Sequence, residues 1–136
     1  GRVCIGHTDN SPGDYQMGLA RRGYYLGMDQ LPRGGPAPPG TPLQAPGALT
    51  WEQRYSQIKA LIDAGMTNRL MLGNDHSLAM TLQATAADPL RVAQNPDGML
   101  FVVRKAIPAL KKIGVTDQAI HTMTVEVPKR FFEAGA

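Results

Sequence analysis

Short runs of consecutive apolar residues alternate along the chain with segments in which apolar residues recur three or four positions apart. Runs of the first kind occupy residues 2–8, 24–29 and 69–73, and they are typical of strands buried on both faces of a sheet. The second kind predicts helices over residues 14–23, from Thr50 to about Gly65, over 103–113 and 117–124, and near Pro128. Strands that alternate with helices in this order predict an α/β fold built on a parallel sheet.

Helix-end signals accompany these segments. Thr50 and Gln53 form a capping-box pattern, Thr116 is a predicted N-cap, and Gly23 and Gly65 are predicted stops. The two predicted long loops, residues 29–49 and 74–98, both follow strands. They would therefore lie on one side of the sheet and form the walls of a pocket there.

The predicted sheet is too small to be complete. Three strands alone would leave two long unpaired edges, which invite aggregation. The chain also begins with Gly1 rather than Met and enters its first strand at once. We therefore interpret the sequence as part of a larger domain.

The three predicted strands end alike, in CIGHTD, YLGMD and MLGND. In a parallel sheet the carboxyl ends of all strands meet at one edge, where α/β proteins build their sites. His7, Asp9, Asp29 and Asp75 are expected to converge there. Imidazole and carboxylate groups are zinc ligands, but a catalytic zinc ion normally has three protein ligands. His7 and Asp75 would supply two, so the pattern predicts part of a metal site.

Structural roles compete with this interpretation. Asp9 and Asp29 could equally be turn residues or helix caps, and a single histidine after a strand, such as His7, is more often structural. His76 follows Asp75 and would point to the opposite side of an extended backbone. It would then line the pocket or face solvent.

The composition argues against several classes of protein. The 136 residues, 43% of them hydrophobic, suit one domain. The net charge of +3 comes without a basic block and aromatic residues make up only 6%, which argues against a nucleic-acid partner. The single cysteine excludes an internal disulfide. No apolar run approaches the roughly 20 residues of a membrane span, and there is no signal peptide, so a cytoplasmic location is expected.

Four segments resemble the phosphotriesterase family of the amidohydrolase superfamily, which includes lactonases and organophosphate hydrolases. They are RVCIGHTDN, GYYLGMD, LGND and NPDGMLFV. The resemblance extends from Gly1 to Phe132, with PKRFF matching the closing helix of the family. It implies a (β/α)8 TIM barrel of which residues 1–136 form the C-terminal part, strands six to eight with their helices. The N-terminal half would be absent from this chain.

The resemblance also implies a pair of divalent metal ions, usually zinc, bridged by a carboxylated lysine and a hydroxide. His7 matches the strand-six histidine, a ligand of the more exposed metal ion. Asp75 matches the strand-eight aspartate, which binds the buried metal ion and takes the proton of the attacking hydroxide. The remaining ligands would come from the absent half.

Two positions depart from the well-known phosphotriesterases, in which a proton relay runs from the strand-eight aspartate through a histidine to a second aspartate. Gln30 and Asn10 stand at the relay positions, and neither amide carries charge near neutral pH. Hydrolysis of lactones is therefore expected at least as much as that of organophosphates. Asp29, Gln30, Arg33 and His76 are the predicted substrate-pocket residues, and His76 replaces a bulky aromatic residue of many relatives.

The predicted activity is metal-dependent hydrolysis of a small phosphotriester, lactone or other ester. The chain alone is expected to be inactive because its site is incomplete. The alternative is a non-catalytic half-barrel that assembles with a complementary chain or as a homodimer.

Overall fold

Three parallel strands form one sheet in a computed structural model that describes residues 2–33, 49–75, 95 and 97–133. The strands are β1 (Cys4–Ile5), β2 (Tyr25–Met28) and β3 (Leu70–Leu72), in the order β1-β2-β3. Cys4 is in register with Tyr25, and Leu26 with Leu70. The predicted α/β class with a parallel sheet is confirmed for this part of the chain.

The helices between the strands begin and end close to their predicted limits. They are α1 (Gly13–Arg21) and α2 (Trp51–Asp63). The capping box of α2 is present, because the Thr50 hydroxyl accepts from the Gln53 backbone and the Gln53 side chain accepts from the Thr50 backbone. Gly23 and Gly65, with φ of 90° and 79°, follow the two helices in the left-handed conformation that glycine adopts readily.

Two wider, π-helical turns interrupt the C-terminal helices. Residues Val102–Ala106 form such a turn before α3 (Ile107–Lys112), and Thr122–Glu126 join α4 (Asp117–His121) to α5 (Val127–Glu133). Each turn precedes a proline by two residues. Proline lacks an N–H group and crowds the carbonyl four residues earlier, and a widened turn relieves both conflicts.

This geometry corrects one prediction. The sequence predicts separate helices over 117–124 and near Pro128. The chain instead remains helical from Asp117 to Glu133.

The core lies between the sheet and the helices. β2 is buried along its whole length because it is the central strand, whereas β1 is half-buried. Side chains of β2 share one core with fully buried residues of α2 and of the C-terminal helices. These residues are Ile58, Leu61, Phe101, Leu110 and Met123. In the described part of the chain, no helix is long and apolar enough to cross a membrane.

Candidate active site

The glycines of the repeated strand ending pack around a single side chain, that of Asp29. A Cβ atom on Gly27 would lie 3.1 Å from Asp29 Oδ2 and 3.2 Å from the Cα atom of Gly6. A Cβ atom on Gly73 would lie 3.1 Å from Asp29 Cβ. These distances are too short for larger residues, so the repeated glycine leaves room for a carboxylate where the three strands end.

Asp29 binds His7 at two points. Its Oδ1 atom lies 2.8 Å from both the backbone nitrogen and the Nδ1 atom of His7. A carboxylate can only accept hydrogen bonds, so in the neutral imidazole Nδ1 carries the proton and Nε2 has a free lone pair. The same hydrogen bond is the main reason why the pKa of His7 is raised above its ordinary value.

Gln30 lies between His7 and Asp75. Its Nε2 atom donates to Asp75 Oδ2 and lies 3.2 Å from His7 Nδ1. Arg33 approaches the same oxygen of Asp75, with its Nη2 atom at 3.9 Å. The structure thus brings His7, Asp29, Gln30, Arg33 and Asp75 together at the carboxyl end of the sheet. His76 lies outside the described residues.

Left-handed backbone coincides with the two predicted metal ligands. Among the described residues other than glycine, only His7 and Asp75 have positive φ, at 58° and 41°. Such conformations cost about 1–3 kcal/mol each and are concentrated at functional sites. The turn at His7 also explains why β1 is shorter than the predicted strand over residues 2–8.

A buried ion pair supports this edge of the sheet from α2. The Arg54 Nη1 atom lies 3.0 Å from Asp9 Oδ2 and 2.8 Å from the Asp9 carbonyl oxygen. Asp9 therefore neither lies open at the sheet edge nor caps a helix. Sequence reasoning missed Arg54, although its position four residues before Ile58 places a charge on the apolar face of the helix, a signal of a buried partner.

Asn74 fixes the end of β3 next to Asp75. Its amide nitrogen donates to the Met99 carbonyl at 2.9 Å, and its amide oxygen accepts from the Val102 backbone at 3.0 Å. One side chain thereby ties the strand end to the start of the next helical segment. This explains the amide in the LGND sequence.

His7 and Asp75 fit two of the ligands of a zinc site. Metal-binding histidines usually donate their second ring N–H to a carboxylate, which is the arrangement of His7 and Asp29. Imidazole and carboxylate are also the donor types that zinc prefers. Across the described ranges, no group of three or more His, Cys, Asp or Glu side chains could hold a metal ion, so further ligands would have to come from elsewhere.

The metal-free His7 imidazole is expected to titrate above its usual value of about 6.5. Because its pKa is raised in the folded state, its contact with Asp29 stabilises the fold fully below the unfolded-state pKa, and this contribution is lost as the pH rises through the folded-state pKa. NMR titration of the imidazole would measure the pKa of His7. In Asp29→Asn the pKa should fall toward 6.5, whereas the exposed Asp14→Asn should leave it unchanged; an equal pKa in all three proteins would contradict the assigned contact.

Comparisons with known proteins identify the family of this chain. The model of the phosphotriesterase family matches residues 1–132. A phosphotriesterase homology protein of Mycobacterium tuberculosis is 31% identical over 133 residues, which cover 97% of this chain and 36% of that protein. An aryldialkylphosphatase of Saccharolobus solfataricus is 28% identical over 136 residues, covering 97% of this chain and 38% of that protein.

A solved structure of a phosphotriesterase has a similar fold. The phosphotriesterase from Mycobacterium tuberculosis has a TM-score of 0.73 and 28% identity with this chain, covering 96% of this chain and 36% of that one. The chain therefore spans little more than a third of the length of the relatives that it matches.

Proposed function

This chain belongs to the phosphotriesterase family, and from that premise we propose that the protein carrying it is a metal-dependent hydrolase of phosphotriesters or lactones. The observation that carries the proposal is the meeting of His7 and Asp75 beside the Gln30 amide, each on left-handed backbone. The similarity to an aryldialkylphosphatase supports the phosphotriester reaction. Lactones remain in the proposal because the site lacks the relay residues of the well-known phosphotriesterases.

We also propose how the chain fits into the whole protein. β1, β2 and β3 would be strands six, seven and eight of a (β/α)8 barrel, in which sites lie at the carboxyl ends of the strands. The partial coverage of the relatives supports this assignment. The other ligands would then come from strands outside this chain.

Two divalent metal ions, proposed to be zinc, would polarise the phosphoryl or carbonyl oxygen of the substrate and lower the pKa of the attacking water. His7 would bind through Nε2, and Asp29 would hold the ring in the required tautomer and orientation. Asp75 would bind through its carboxylate and take the proton of the attacking water.

The proton would then leave Asp75 for solvent. In this chain the side chain of Asp75 is 41% exposed. Gln30 cannot accept it, because an amide carries no charge near neutral pH. Arg33, with a side chain 52% exposed, stands at the same opening and would contact a polar or anionic group of the substrate.

The test is metal analysis with turnover of one aromatic phosphotriester and one γ-lactone by the purified protein. We expect about two zinc ions per protein and hydrolysis that is lost after chelation and restored by zinc. A protein that binds no zinc and hydrolyses neither substrate would contradict the proposal.

A second candidate is a half-barrel that assembles without catalysis. It is favoured by β1 and β3, each of which pairs with only one neighbour among the described strands. If this candidate holds, size-exclusion chromatography of residues 1–136 should show a dimer, and assays with the same phosphotriester and γ-lactone should show no turnover. Hydrolysis by this segment alone would exclude the second candidate.

A further inference from the structure

We infer that Gln30 is a positioning residue: its amide, held in place by the buried Asp9–Arg54 ion pair, sets the Asp75 carboxylate beside the His7 imidazole. The inference rests on the proposed function and adds to it a residue that takes no part in proton transfer. It also gives a role to an ion pair that lies behind the site and would not touch substrate.

The backbone of Gln30 is anchored to α2. Its N–H group donates to Asp9 Oδ1 at 3.1 Å, while Arg54 holds the other carboxylate oxygen and the carbonyl of Asp9. The Arg54 Nε atom in turn donates to the Leu49 carbonyl at 3.3 Å. Arg54, Asp9 and Gln30 are 3%, 1% and 1% exposed, so little solvent competes for these hydrogen bonds.

The side chain of Gln30 has one acceptor within reach. Its Nε2 atom is close to His7 Nδ1, but that nitrogen already donates its proton to Asp29, which leaves Asp75 Oδ2 as the partner. Rotation of the amide by half a turn would bring its oxygen against the Asp75 carboxylate. The observed orientation is therefore the favourable one, even though Gln30 Oε1 is buried without a hydrogen-bond partner in the described structure.

The position of Gln30 in the sheet explains why this residue can span the site. It follows β2, the central strand, whereas His7 follows β1 and Asp75 follows β3. Without its amide, the remaining polar neighbour of Asp75 Oδ2 among the described residues is Arg33, at 3.9 Å. The carboxylate would then turn toward the exposed guanidinium and away from His7.

The test compares Gln30→Met with Gln16→Met in the whole protein. Gln16 is a matched control, because it is also fully buried and its Nε2 donates to the Thr8 and Ser11 carbonyls, without contact to Asp75. We expect Gln30→Met to weaken zinc binding, measured by competition with a chelating dye, by about 10- to 100-fold. In kinetics at saturating zinc, kcat should fall while KM changes little.

Gln16→Met separates positioning from folding, since it should lower the melting temperature without weakening zinc binding. Gln30→Asn, which keeps an amide but is one methylene too short to reach Asp75, should lose zinc affinity as Gln30→Met does, and it serves where Gln30→Met does not fold. Wild-type zinc affinity in a folded Gln30 variant would overturn the inference and leave the proposed function intact. A wild-type protein that binds no zinc would overturn the proposed function, and the inference with it.

Discussion

Asp75→Asn is expected to lower kcat for ester hydrolysis by about 100- to 10,000-fold, the usual contribution of a positioned general base. The amide keeps the shape of the carboxylate and one oxygen for a metal ion, but it cannot take up the proton of the attacking water. Steady-state kinetics at saturating zinc would measure the loss. Asp63→Asn is the control, because Asp63 pairs with Lys59 on the surface of α2 and should leave kcat unchanged.

His7→Asn complements this variant. Asparagine tolerates left-handed backbone, so the turn at φ 58° should persist while the proposed Nε2 ligand is lost. The expected result is loss of zinc, with hydrolysis partly restored by excess zinc. Unchanged turnover in both His7→Asn and Asp75→Asn would refute the assigned roles of these two residues.

Local sequence patterns were sufficient to predict the order of strands and helices and the sheet edge at which His7 and Asp75 lie. Continuous apolar runs separated by helical segments identified a parallel sheet, and Thr50 with Gln53 identified the start of α2. The repeated strand endings pointed to His7 and Asp75, which the structure brings together through Gln30. These features depend on residues close together in the chain, or on the rule that parallel strands end at one edge.

The partners of these residues could not be predicted in the same way. That Asp29 would be the common neighbour of Gly6, Gly27 and Gly73 follows from the register of three strands, which no single segment specifies. The pairing of Asp9 with Arg54 joins residues 45 positions apart. Both arrangements depend on tertiary packing. The sequence places Arg54 on the apolar face of its helix, but it does not specify which residue Arg54 pairs with.

The largest effect on stability is expected from Arg54→Met, which should lower the free energy of unfolding by about 3–5 kcal/mol because it leaves the Asp9 carboxylate buried without its partner. Burial already raises the pKa of Asp9 and lowers that of Arg54, so desolvation opposes the charged form of both residues. Urea unfolding followed by circular dichroism would measure the loss. Lys59→Met removes an exposed ion pair from the same helix and should cost under about 1 kcal/mol.

Two further measurements would show whether the loss of stability comes from the Asp9 carboxylate left buried without its partner. Because the folded-state pKa of Asp9 is raised, the destabilising charge appears as the pH rises through that pKa, so the deficit of Arg54→Met should shrink as the pH falls toward about 4. Asp9→Asn added to Arg54→Met removes the charge and keeps an oxygen for the Gln30 N–H group, and it should recover part of the stability. If Arg54→Met lowers the free energy of unfolding no more than Lys59→Met does, the Asp9–Arg54 pair is hydrated in solution. Such a result would contradict the proposal that this pair holds Gln30 in place.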